Sequence, residues 1–386
     1  MSKTACKEDI YDQYKDELTT SVMQTMHEYD ELTDSAFREM IAEVIRKNPT
    51  TKTLSLDQKR SIATKLFNRM RRLDILQPLM DDPGITEIMV NGPKKVFYER
   101  EGQLFSSDLQ FEDEATLTQL MLHFFSGANR PLNEASPISD LRLPDGSRAN
   151  AVLAPIAPDG PIFTIRKFTG VRPDMKTLIS TGFICEEAAL YLEKAVIHKK
   201  TIFLCGGTGS GKTTFLNTLS GFIPKNERVV TIEDSAELSL QGITNLVRLE
   251  ARLPGPDGQG GIHIGQLIRT ALRMRPDRIV VGEVRGSEAA DMLHALHTGH
   301  PGSLCTGHAN SCMEMLERLS TMVLEGSHLP FDAVIRQINM GVDILVHITR
   351  GNDGKRFVDE IVRMLPLEDN HFRIETIYSC RKEVYQ

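Results

Sequence analysis

The sequence predicts an α/β chain: a domain built on a parallel sheet, preceded by a smaller α+β domain and a helical extension. Three observations carry that expectation. From about residue 182 to 350, short apolar runs alternate with amphipathic stretches, as a doubly wound parallel sheet requires. From about 80 to 168, short strand-like runs are divided by Asn-Gly and Asp-Gly turns around one amphipathic helix. Up to about residue 78 the pattern is helical and polar. The expected divisions are 1–78, 79–168, a linker at 169–181, and 182–386.

Composition limits the classes available. The chain has 386 residues, 40% hydrophobic and 25% charged, which is ordinary for a globular protein of two or three domains. Its formal net charge of −7 argues against a broad nucleic-acid surface. Six cysteines are scattered along it with no C-x-x-C pair, which suits free thiols rather than a zinc knuckle. The polar, acidic start does not read as a secretory signal. No apolar run approaches the ~20 residues of a membrane span.

In the first segment, Ser35 is placed to cap a helix carrying Phe37, Met40, Ile41, Val44 and Ile45 on one stripe. Ser55 and Gln58 form a capping-box pattern. The helix they open carries Ile62, Leu66, Phe67, Met70 and Leu73, with Arg69, Arg71 and Arg72 off the stripe as a solvated face or a docking surface. In the second segment, Ile85–Val90 and Val96–Tyr98 flank an Asn91-Gly92-Pro93 turn, and Phe111–Phe125 reads as a helix. Asp145-Gly146 divides Leu141–Leu143 from Arg148–Leu153, and Asp159-Gly160 precedes Ile162–Phe168. Arg148 and Arg166 sit at strand positions. Glu186–His198 then reads as a helix, and Leu253–Gly261 as the most flexible stretch.

The chemistry begins at Ile202–Cys205, an apolar strand-like run followed by Gly206-Gly207-Thr208-Gly209-Ser210-Gly211-Lys212-Thr213-Thr214. Gly206, Gly211, Lys212 and Thr213 match the phosphate-binding pattern between a strand and a helix. Such a loop turns backbone N–H groups inward at a helix N-terminus. Lys212 would meet phosphate oxygens and the Thr213 hydroxyl would hold Mg²⁺. Two acidic groups follow later strand-like runs, at the strand ends where open α/β sheets bind ligands. Glu283 ends Arg278–Glu283 (RIVVGE), where an aspartate one residue earlier would be usual. It takes either the metal or the water role. Glu233 and Asp234 follow Val229–Ile232, either near the metal and its waters or as the N-cap of a helix.

His294, His297, His300 and His308 lie close in sequence, but Gly299, Pro301 and Gly302 break any helical face, so zinc is not expected. His308, following a strand, is placed as a hydrogen-bonding sensor of the terminal phosphate. A cation in the transition state is the remaining need. Arg148, Arg166, Arg275 and Arg285 are the candidates, and spacing does not choose among them.

Four segments in order, GGTGSGKTT (206–214), TIEDSAEL (231–238), LRMRPDRIVVGEVRG (272–286) and TGHPGSLCTGHANS (298–311), resemble the boxes of the type II/type IV secretion ATPase superfamily. The stretch 75–104 is similar to the CpaF/TadA-type ATPases of tight-adherence (Flp, type IVc) pili. The resemblance covers about residues 60 to 386 and leaves the first 60 open. It implies a RecA-like ATPase domain behind an N-terminal domain, with ATP and Mg²⁺ bound between them. It also implies a hexameric ring at the inner face of the cytoplasmic membrane, working on membrane platform proteins. Carried over, Gly207 to Thr214 and Lys212 serve the phosphates, and Thr213 the metal with Glu233 and Glu283, through water. Glu283, Glu233 and His308 serve hydrolysis, Arg148 and Arg166 reach phosphate from the N-terminal domain, and Arg275 and His300 are nucleotide-proximal. Neither nucleic acid nor zinc is implied. A type IV conjugation or effector-secretion ATPase would share all four boxes, and a RecA-like nucleic-acid motor shares the phosphate loop.

Overall fold

The computed structural model describes residues 10–26, 32–100, 102–128, 130–168, 173–252, 254, 259–351 and 353–380. It divides into two compact units, Met1–Thr169 and Gly170–Gln386, each taken by itself below.

The first unit opens with helices α1 (Ile10–Met26), α2 (Asp34–Lys47) and α3 (Leu56–Arg71), then the short α4 (Gln77–Asp81). Leu18, Val22, Phe37, Ile41, Ile45, Ile62, Leu66 and Phe67 form a core among the first three. The cap of α2 is Thr33, whose hydroxyl accepts from Ala36 N at 3.3 Å. Ser35 lies one residue inside the helix, because Thr33 is the residue in extended backbone that can turn its oxygen onto the free N–H groups. The Ser55–Gln58 capping box forms as expected. Leu73 falls beyond the end of α3 and joins the next core instead. The arginines of α3 are not simply solvated. Arg71 lies 4.8 Å over the Phe37 ring, and Arg72 sits over Phe67 and bonds Asp34 at 3.0 Å.

The rest of this unit is a six-stranded antiparallel sheet with one helix. It comprises β1 (Ile85–Asn91), β2 (Val96–Arg100), β3 (Gln103–Ser107), α5 (Glu114–Gly127), β4 (Ile138–Arg142), β5 (Arg148–Val152) and β6 (Ile162–Arg166). The order is β3-β2-β1-β6-β5-β4. Register places Glu87, Arg166, Arg148 and Arg142 in one row across four strands. Residues paired in register share a face. The two arginines singled out from the sequence are therefore direct neighbours, with Glu87 Oε1 3.8 Å from Arg166 Nε.

The second unit contains α6 (Met175–Ser180), α7 (Glu186–Ile197), β7 (Ile202–Gly206), α8 (Lys212–Ser220), β8 (Arg228–Glu233), β9 (Asn245–Glu250), α9 (Ile264–Ala271), β10 (Arg278–Val281), α10 (Glu288–His297), β11 (Leu304–Gly307), α11 (Cys312–Gly326), α12 (Phe331–Gly341), β12 (Ile344–Arg350), β13 (Arg356–Glu368) and β14 (His371–Ser379). Of the stretch read as a linker, 169–172 lie outside the described residues. Met175–Ser180 is helical, capped by Asp174, and buries Leu178. Most of the 253–261 loop also lies outside them.

The sheet order is β14-β13-β12-β7-β11-β10-β8-β9. From β12 to β9 every pair is parallel, and β13 and β14 add an antiparallel edge. Apolar cores lie on both faces, one centred on α9, α10, α11 and α12, the other on α7 and α8. That is why the strands read as continuous apolar runs rather than alternating ones. No helix of the described residues is long and apolar enough to cross a membrane.

Among the buried polar residues of this sheet, Arg278 is the largest. Arg278 is fully buried; its Nε donates to Glu227 Oε2 at 2.5 Å, its Nη2 to Glu227 Oε1 at 3.3 Å and its Nη1 to Gly302 O at 3.2 Å. Removing one member of a buried pair strands the other's charge, at a cost of about 3–5 kcal/mol. Arg278→Ala is therefore expected to lower the denaturation midpoint of this unit. An unchanged midpoint would show that Lys199, 3.5 Å from Glu227, neutralises the carboxylate alone.

Candidate functional site

The parallel strands bring their C-terminal ends to one edge, where the loop 207–211 joins β7 to α8. This loop rests directly on β12. A methyl group at Gly206 would stand 2.2 Å from Ile348 O and 2.8 Å from Ser210 Oγ, so only glycine fits. Gly211, at φ +97°, is the cap of α8 and supplies no side-chain acceptor. The first N–H groups of α8 thus have no capping side chain and are open to an anion. Thr213 is half-buried on the first turn, while Gly207, Thr208 and Thr214 are exposed.

Lys212 is buried within its own loop. Its Nζ donates to Gly206 O at 3.0 Å and Gly207 O at 2.8 Å, and lies 3.4 Å from His308 Nδ1. An ammonium only donates, so Nδ1 is the acceptor, and the neutral ring carries its proton on Nε2. Burial, joined by the Lys212 charge, pushes the His308 pKa down despite the nearby Glu283, which favours that neutral form. Nε2 lies 2.6 Å from Glu283 Oε1, without the alignment of a hydrogen bond.

Glu283 completes the line. Its Oε2 accepts from Arg285 Nη2 at 2.8 Å. Burial pushes its pKa up, but Arg285's hydrogen bond and charge, with His308 and Lys212, outweigh this and lower it, so the carboxylate stays ionised. The glycine before it has a steric reason. A side chain at 282 would meet Glu233 Cγ at 2.8 Å, so the two positions cannot both carry one. Glu233 ends β8, is buried, and accepts from Glu237 N and Leu238 N, each at 2.8 Å. No helix follows, since 234–244 is a loop, and the capping alternative for Glu233 and Asp234 falls away.

Mg²⁺ takes one or two protein oxygens and fills the rest of its octahedron with water and phosphate. The Thr213 hydroxyl with a carboxylate of Glu283 or Glu233 provides that much, so the donor set fits. A phosphate chain would supply the anion for the α8 N-terminus and the Lys212 ammonium.

Two expected site residues are elsewhere. Arg275 precedes β10 and His300 precedes β11, so both lie at the N-terminal ends of their strands. A four-residue strand is roughly 13 Å long at ~3.3 Å per residue, which separates His300 from His308. Within this unit the parallel topology puts both on the opposite edge from the phosphate loop. His300 Nδ1 is 3.2 Å from Ala295 O, and Arg275 is exposed. His297 Nε2 is bonded to Gln337 O at 2.9 Å and His294 is exposed, so the histidines do not converge. Arg148 and Arg166 belong to the first unit. Spacing left Arg285 open as a phosphate cation; here it is the partner of Glu283. The two are only two residues apart in sequence, and that short spacing of opposite charges is the signal that could have found the pair.

Residues 70–386 match the family described as Type II/IV secretion system protein. The chain belongs to that family. Within it, a putative conjugal transfer protein of Mycobacterium tuberculosis is 37% identical over 293 residues, 74% of this chain and 83% of that protein. The type IV secretion system protein VirB11 of Brucella suis is 34% identical over 323 residues, 75% and 88% of the two chains. The solved structure of the Legionella pneumophila ATPase DotB has a TM-score of 0.54 at 21% identity, covering 73% of this chain and 78% of that one, and shares its fold.

Proposed function

We propose that this chain is an ATP-hydrolysing motor of a secretion system. The observation that carries the reading is the line Lys212–His308–Glu283 at the mouth of the phosphate loop. It joins a phosphate-binding cation, a neutral histidine and an ionised acid at one strand edge. In this reading, backbone groups from Gly207 to Thr214 and the Lys212 ammonium hold the β- and γ-phosphates, and Thr213 holds Mg²⁺. Glu283 orients the attacking water. Glu233 keeps the loop after β8 in place and lends its second oxygen to the metal's waters. Arg148 and Arg166 serve the phosphates as well. Arg275 and His300 have no part in this site.

The motor works as a homo-hexamer on membrane platform proteins, at the inner face of the cytoplasmic membrane. The stretch 75–104 supports a CpaF/TadA-type role in tight-adherence pili. The conjugal transfer and VirB11 relatives support a second reading, type IV secretion. Pilin and paired platform genes beside this one would decide for the pilus, and conjugation or effector genes for the other.

The experiment is steady-state ATP turnover together with sizing of the purified chain, with and without a non-hydrolysable ATP analogue. Turnover and a six-fold mass are expected. A chain that never turns over ATP would sink the motor, and a persistent monomer would sink the ring. In the same assay Arg148→Ala and Arg166→Ala should slow hydrolysis while nucleotide binding persists.

A further inference from the structure

Arg285 stands where two loops of the site meet. It follows β10, and Asp234 follows β8, the strand hydrogen-bonded beside it. Its Nη2 donates to Glu283 Oε2 at 2.8 Å, while its Nη1 lies 3.7 Å from Asp234 Oδ2. A guanidinium is a rigid planar fork, so one side chain can face two carboxylates at once. The backbone beneath it is fixed too. Arg285 N and Gly286 N both donate to Glu288 Oε1, at 2.6 and 3.0 Å, in the first turn of α10. The Glu283 carboxylate is therefore flanked on both sides, by Arg285 at one oxygen and by His308 at the other. A glutamate without such partners spreads over several rotamers.

We propose that Arg285 is the positioning residue of Glu283, holding its carboxylate toward His308 and the phosphate loop, with Asp234 as the outer anchor. It does not itself touch the nucleotide. This rests on the reading of Glu283 as the acid that orients the attacking water. The Arg285 side chain is more than half exposed, so its ion pairs add little to stability, and removing it is a local change.

The test compares native, Arg285→Ala, Arg285→Lys, Asp234→Ala and the Arg285→Ala/Asp234→Ala double variant by kcat and KM for ATP, with the melting temperature of each. Misplacing a reacting group by about 1 Å can cost up to roughly 100-fold. Arg285→Ala should lower kcat about 10- to 100-fold, with KM within about twofold and the melting temperature unchanged. Arg285→Lys should recover part of the loss, since one ammonium restores the charge without the fork. Asp234→Ala should cost less than Arg285→Ala, and the double variant no more, because Asp234 acts through Arg285. A kcat near native in Arg285→Ala overturns the proposal. So does a loss carried in KM, which would make Arg285 a nucleotide contact, or one that tracks the melting temperature. A native chain without turnover overturns the ATPase reading and this proposal together, whereas variant data alone overturn only the latter.

Discussion

The Lys212→Ala chain is expected to lose ATP turnover and to bind ATP far more weakly. Each charge-assisted bond to a phosphate oxygen contributes roughly 1.5–3 kcal/mol, or about 10- to 150-fold in Kd. Part of that is already spoken for, because the ammonium leaves Gly206 O and Gly207 O when it turns to a phosphate. Binding is a substitution of partners, so the loss in affinity should fall toward the lower end. The loss in rate should be larger, because charge on the transferring phosphoryl group grows toward the transition state. Alanine forms helix at least as well as lysine, so α8 should keep its first turn. Calorimetric titration of ATP alongside turnover checks both parts. Native turnover in this variant would remove the phosphate loop from the reaction.

Glu283→Gln is expected to do the reverse, with binding kept and hydrolysis lowered by about 10²–10⁴-fold, the usual share of a positioned acid or base. The site sharpens the reason. Two donors, Arg285 Nη2 and the protonated Nε2 of His308, face the two carboxylate oxygens. A carboxylate turns an acceptor oxygen toward each, whereas an amide offers one oxygen and turns its own N–H groups toward the other group. The variant therefore loses the charge that faces Arg285 and His308. Single-turnover hydrolysis with ATP in excess of its Kd separates this from a binding defect. A native single-turnover rate would assign the reaction's acid to another residue.

What the sequence showed was whatever is written locally. The phosphate loop, the Ser55–Gln58 capping box, and the acid and histidine after their strands each depend on a few adjacent residues. The structure brings Lys212, Glu233, Glu283 and His308 to one edge, as reading strand ends predicts. Arg275 and His300 lie away from that edge for a reason the same rule contains. Both precede a strand, so a parallel sheet sends them to the far edge. The Arg278–Glu227 pair spans 51 residues and has no local signature. The β13–β14 hairpin did have one. Asp369 and Asn370, both at positive φ, are the residues a tight reversal of this kind favours. The shift of the α2 cap from Ser35 to Thr33 is the two-residue error typical of helix ends.

The position of β7 bears on how the chain breathes. All five of its residues are buried, and three strands lie on one side of it in the sheet and four on the other. Amide hydrogens there should exchange only when the whole unit opens, while those of the outermost β9 and β14 exchange through fraying. A ligand gripped at the end of β7 is thus attached to the slowest-opening part of the unit. Its binding energy should appear in full as protection of that central amide set, growing as RT ln(1 + [L]/Kd).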